Sequence, residues 1–165
     1  MNNEERNRVF VLDTNILFEM NRWTPIELCP EFWQCLEQAL HEGKWILLDI
    51  IVNEIDYPDT LREWCKKQKN AGHVTKIETA HRERGAEINA LFPMIDQTAQ
   101  KSESDTYLIA YAETTGTIVF SREGFKKQNE TLFKIPDVCN KLNVQRIREP
   151  AGFYDKIGFT SAIYK

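Results

Sequence analysis

The chain has 165 residues, of which 42% are hydrophobic and 28% charged, with seven glycines and six prolines; this composition excludes a disordered, collagenous or membrane-embedded protein. A chain of this length fits one domain that buries a core of its own. The formal net charge of −4 argues against a duplex-binding module with a broadly basic surface, but not against a metal enzyme, where acids are concentrated and bound cations reverse the local sign.

Residues 1–8 are polar and charged, and the apolar stretch after them is broken by Asp13. Neither a signal peptide nor a membrane span is expected, and the expected compartment is cytoplasmic. Residues 9–12 read as a buried strand ending at that acid. Residues 15–21, with Ile16, Leu17 and Met20 apolar, begin a helix. After Pro25 and Pro30, residues 31–42 place Phe32, Cys35, Leu36, Ala39 and Leu40 at helical spacing, with Gly43 as the stop. Residues 45–48 read as a second strand, followed by Asp49 at the N-cap of a short helix that carries Ile50, Ile51, Glu54 and Ile55.

The charged stretch 60–92 is expected to be a solvated, cap-like helical pair. Ser102-Glu103-Ser104-Asp105 resembles a capping box before a helix that carries Leu108, Ile109 and Ala112 and closes at Gly116. Residues 117–120 form the third apolar run and lead into Ser121-Arg122-Glu123. Pro136 suits the first turn of a helix over 137–142, residues 144–147 read as an edge strand, and 150–165 as a C-terminal tail. Cys29, Cys35, Cys65 and Cys139 show no CxxC spacing and are read as reduced, mostly core thiols. Strands separated by helices predict an α/β three-layer sandwich, with a four- to five-stranded mainly parallel sheet and helices on both faces, in a single domain spanning 1–165.

In an open parallel sheet, ligands bind beyond the carboxyl ends of the strands. Each apolar run delivers an acid there: Asp13 after the first, Asp49 or Glu54 after the second, Glu123 after the third. Asp105 joins them from the first turn of the helix before the third strand. Clustered carboxylates repel one another unless a cation neutralises them. Hard oxygen donors suit Mg²⁺ or Mn²⁺, and such ions support hydrolysis of phosphodiesters. Each acid also has a structural reading: Asp49 and Asp105 as caps or first-turn acids, Glu54 as a polar helix position, Glu123 as a solvated loop residue. A charged residue directly behind an apolar strand, as Asp13 is, has few such explanations.

These residues resemble the PIN-domain ribonucleases. That family's first strand ends in hydrophobic-Asp-Thr-Asn, here Val11-Leu12-Asp13-Thr14-Asn15. Its second acid, on the helix after the second strand, corresponds to Glu54 in Val52-Asn53-Glu54-Ile55, and its third heads the Ala-containing helix that begins Asp105-Thr106-Tyr107-Leu108. Ser121-Arg122-Glu123 replaces the family's Thr/Ser-x-Asp, with a longer arm at the fourth position. Asp59-Thr60-Leu61-Arg62-Glu63-Trp64 and Lys134-Ile135-Pro136-Asp137-Val138-Cys139 look like a PIN-like subfamily catalogued as a domain of unknown function.

The resemblance implies a Mg²⁺- or Mn²⁺-dependent endoribonuclease with Asp13, Glu54, Asp105 and Glu123 as catalytic and metal-binding residues. It implies RNA as substrate and, in many members, the toxin role in a bacterial toxin–antitoxin pair, with a cognate antitoxin and a homodimer as partners. Asn15, Ser121, Arg122 and Lys126 are the expected substrate contacts; Arg22, Lys127, Lys66, Lys67 and Lys69 are further cations, and Trp23, Trp64 and Tyr107 candidate stacking rings. Three other readings compete. A haloacid-dehalogenase-type phosphatase needs a second Asp where Asn15 stands. A response-regulator receiver domain needs an N-terminal acidic pair and a phospho-acceptor on a middle strand, and neither is visible. The third is a PIN-like fold without catalysis that binds RNA or an antitoxin.

Overall fold

The computed structural model describes residues 9–99 and 102–159; residues 1–8 and the last six positions of the expected tail lie outside them. The three apolar runs form strands because each is bounded by a polar residue or a stop. β1 (Phe10–Leu12) ends at Asp13, β2 (Trp45–Ile46) follows the left-handed Gly43, and β3 (Ile118–Phe120) follows the left-handed Gly116. β4 (Arg146–Ile147) completes a sheet of order β2-β1-β3-β4 in which every pair is parallel. The α/β class, the parallel sheet and the edge position of residues 146–147 agree with expectation. The second strand is shorter than expected. Beyond Ile46 the chain instead makes a bridge between Leu48 and Thr75, closed by Thr75 N–H to Leu47 O at 2.8 Å and Asp49 N–H to Thr75 O at 2.9 Å.

Eight helices are present among the described residues: α1 (Thr14–Trp23), α2 (Pro30–His41), α3 (Asp49–Glu54), α4 (Asp59–Asn70), α5 (Thr79–Leu91), α6 (Glu103–Thr115), α7 (Ile135–Leu142) and α8 (Ala151–Ile157). None is long and apolar enough to cross a membrane. The register pairs Phe10 with Trp45 and Ile118, and Leu12 with Phe120, so these side chains share one face of the sheet. On that face Phe153 of α8 packs edge-on to Phe10 at 5.7 Å and to Trp45 at 6.3 Å, and lies 5.2 Å from Phe120. Val11 and Val119 point the other way, where α6 runs along β3 with α5 and α7 against it.

One expectation is corrected here. The region 150–165 is not a tail throughout: α8 carries the fully buried Phe153 against Phe10, Trp45 and Phe120 of the sheet. α4 and α5 do not pack chiefly on each other. The chief partner of α4 is α3, and that of α5 is α6. Gly85 of α5 makes the second contact close, since a Cβ there would meet Tyr107 Cδ1 at 2.6 Å. Trp64 of α4 is buried against Trp33 at 5.2 Å and stacks over Trp45 at 6.4 Å, which makes it a core ring rather than a base-stacking one. All four cysteines are free, two of them buried.

Candidate functional site

Asp13 leaves β1 in extended backbone as the N-cap of α1, its amide held by Phe120 O at 3.1 Å. The side chain is 2% exposed. Its carboxylate accepts the hydroxyl of the buried Ser121 at 3.1 Å, from the end of the adjacent strand β3. Burial pushes its pKa up to about 6, with Glu123 and Glu54 adding to the rise and Ser121 and the Asn15 amide opposing it. The charged form of Asp13 therefore stands in a region short of positive charge.

Asp105 occupies the first turn of α6. Burial, then Asp13, Glu123 and Glu54 in that order, push it up to about 8. Asp105 thus stands within electrostatic reach of the other three acids proposed from sequence. The capping box expected at the head of this helix does not form: Ser102 adopts a left-handed φ of 71° and makes no side-chain cap bond. Its hydroxyl acts on Asp105 instead.

Glu54, at the last turn of α3, has both oxygens engaged. Thr14 donates to Oε2 at 2.6 Å, and Ser104 donates to Oε1. Asp49 is placed differently from Glu54. Asp49 turns its Oδ1 to the amides of Ile50 at 2.8 Å and Ile77 at 3.1 Å, where it fastens the 75–77 segment beside β2. Thr14 and Ser104 had no role assigned from sequence, although a hydroxyl directly beside each of two acids was a usable signal.

Glu123 follows β3, half-buried, and its Oε2 accepts the Ile135 amide at the head of α7 at 3.2 Å. Burial raises its pKa, while that amide, Lys134 and Arg146 act against the rise. Its own amide donates to Ser121 Oγ at 3.2 Å, and Arg146 donates to Ser121 O at 3.2 Å. Ser121 is therefore a positioning residue inside the site rather than an accessible contact.

A cavity of about 650 Å³ opens beside the acids, lined in part by Asn15, Arg22, Arg122 and Glu123. Arg122 also pairs with Glu19 at 3.3 Å. Lys126 is turned away: its ammonium donates to Glu130 O at 2.8 Å and its amide to Asp137 Oδ2 at 2.9 Å. Lys127 bonds through its amide to Glu130, Lys66 and Lys67 pair with Glu63 and Glu37, and Lys69 lies on the exposed side of α4. Trp23 is exposed, and Tyr107 is half-buried with its hydroxyl on Glu103.

The donor set is wholly carboxylate and hydroxyl oxygen, the chemistry of a hard cation. Among the described residues no three His, Cys, Asp or Glu side chains already stand in a chelating group. Mg²⁺ commonly retains several waters and takes only one or two carboxylates directly. Any such ion at these acids would be held in part through water rather than in an all-protein cage.

No curated protein matches the chain. A family model described as "Domain of unknown function (DUF4411)" matches residues 10–155, a span that runs from β1 into α8 and contains all four acids. The chain belongs to the DUF4411 family.

Proposed function

We propose that the chain is a metal-dependent endoribonuclease of PIN type that hydrolyses RNA phosphodiester bonds, acting as the toxin of a bacterial toxin–antitoxin pair. The observation that carries this reading is the gathering of held carboxylates: Asp13 is buried and bonded by Ser121, Glu54 is bonded by Thr14 and Ser104, and burial together with neighbouring acids raises Asp13 and Asp105. Buried carboxylates that repel one another are unfavourable unless the fold gains something from them, and acids tuned in this way concentrate at functional sites.

Asp13, Glu54, Asp105 and Glu123 would hold Mg²⁺ or Mn²⁺. When bound, such an ion supplies a water of lowered pKa and charge compensation for phosphoryl oxygens. The chain's own residues do the rest. Ser121 fixes the orientation of Asp13, Thr14 and Ser104 fix that of Glu54, and the amide of Ile135 fixes Glu123. Arg22 and Arg122, on the wall of the cavity shared with Asn15 and Glu123, offset the charge of an approaching phosphate.

A second reading, a PIN-like module that binds RNA or an antitoxin without cutting, is favoured by one observation: both carboxylate oxygens of Glu54, and one of Glu123, are engaged within the protein. The test is cleavage of single-stranded RNA by the purified protein with Mn²⁺ or Mg²⁺, against EDTA and Asp13→Asn. Metal-dependent cutting lost in the variant supports the nuclease. Equal cutting by the variant overturns it, and retained RNA binding without cutting by either protein favours the module.

A further inference from the structure

Two open depressions each take in a different acid of the cluster. The 650 Å³ cavity takes Glu123 from it and adds Arg22, Arg122 and the ring of Tyr57. A second, of about 440 Å³, takes Glu54 and Ser104 and adds Arg82 and Tyr107. Each depression therefore combines an acid of the cluster with arginine and an aromatic ring.

Tyr57 is 76% exposed, although a tyrosine ring ordinarily buries much of its area. In the other depression the Arg82 guanidinium lies 5.1 Å from the centre of the Tyr107 ring, and Tyr107 is anchored by its hydroxyl to Glu103 Oε1 at 2.6 Å. Among the described residues no carboxylate pairs with Arg82, so its outer face remains open to a ligand. Gly85 lets α5, which carries Arg82, approach Tyr107 of α6 closely, and the arginine is thereby pre-positioned at the rim.

A ligand confined to one depression would need cations on one side only. Arginines on both sides suit a polyanion that crosses the acids and continues in each direction. Exposed rings suit unpaired bases, whose faces are free to stack. We infer that Tyr57 and Arg82 are substrate-contact residues at opposite ends of a single-stranded RNA laid across the acidic cluster. Tyr57 stacks on a base in the first depression, and Arg82, backed by Tyr107, engages a phosphate or a base plane in the second. This inference rests on the nuclease reading for its substrate.

The test uses the full chain with Tyr57→Ala, Arg82→Gln and the double substitution. Binding of a short fluorescein-labelled single-stranded RNA is measured by anisotropy in the Asp13→Asn background, and KM and kcat are measured with Asp13 intact. Mn²⁺-induced thermal stabilisation reports the acids independently. Each single change is expected to weaken RNA binding about tenfold and to raise KM with kcat and the Mn²⁺ response unchanged. A double variant that binds RNA as tightly as the parent overturns the inference, even if RNA is cut and the nuclease reading stands. RNA binding that depends on both residues without any cutting upholds the inference and sinks the nuclease reading. No RNA binding by the parent overturns both.

Discussion

Ser121 donates its hydroxyl to Asp13 at 3.1 Å across two neighbouring strands, joining residues 108 positions apart in a buried hydrogen bond. That bond opposes the rise that burial imposes on the Asp13 pKa. Ser121→Ala removes it, so Asp13 is expected to titrate still higher. Activity should fall about tenfold near neutral pH and recover as the pH is raised. A pH–rate profile checks this; an acid limb that does not move would assign Ser121 a packing role alone.

Stability of the metal-free protein should depend on pH in a defined direction. The folded chain keeps the Asp13 proton to about pH 6 and the Asp105 proton to about pH 8, against a reference value of 3.8 for each. It therefore binds more protons than the unfolded chain between these limits, and its stability falls as the pH rises through them. Calorimetry in EDTA should show Tm decreasing from about pH 5 to about pH 8. Mg²⁺ or Mn²⁺ should restore more of it at the alkaline end, where the acids are ionised. An equal metal effect at both ends would place metal binding elsewhere.

Asp13→Asn keeps the shape of the side chain and removes a buried charge. It should abolish metal-dependent cleavage and yet stabilise the metal-free protein at alkaline pH, by up to about 3 kcal/mol. Opposite signs for activity and stability mark a residue retained for function. Asp49→Ala should behave in the reverse way. It strips an acceptor from the amides of Ile50 and Ile77, with a loss of about 1–3 kcal/mol and an unchanged Mn²⁺ response. Urea melts and metal titrations of the two variants separate the roles.

Gly85→Ala should be destabilising although alanine favours helix. The new methyl would meet Tyr107 Cδ1 at 2.6 Å and Thr106 Oγ1 at 3.1 Å. Overpacking costs about 1–3 kcal/mol, and the helix preference offsets at most about 1 of it. A lower Tm is expected, together with a disturbed Tyr107. A raised Tm would mean that the Tyr107 ring swings aside freely.

Phe153→Ala should cost about 3–5 kcal/mol, since that ring is fully buried among Phe10, Trp45 and Phe120. Thermal melting checks this; a change of less than about 1 kcal/mol would mean that α8 detaches without consequence for the sheet.

The features legible in the sequence were those written in neighbouring residues. Runs such as Ile118, Val119 and Phe120 announce buried strands, Gly43 and Gly116 announce helix ends, and Asp13 stands out because a lone acid follows an apolar run. What escaped depends on partners far along the chain. Asp49 reads as a cap because its second partner, Ile77, lies 28 positions away. Phe153 sits in a short segment between Gly152 and Gly158 with few apolar neighbours, so nothing local marks it as core. Trp64 becomes a core ring only when Trp33 and Trp45 arrive beside it. The Ser102 box looks sound in one dimension and fails because that residue turns left-handed.

The strand order β2-β1-β3-β4 has a temporal meaning. β1 is an inner strand, yet its partner β3 leaves the ribosome about a hundred residues after it. At typical synthesis rates of about 5–20 residues per second, one edge of β1 waits roughly 5–20 s for its neighbour. Over the same interval Asp13 meets neither Asp105 nor Glu123. Its repulsion with those acids arises only once synthesis has passed Glu123, so the acidic cluster is assembled long after its first member has been made.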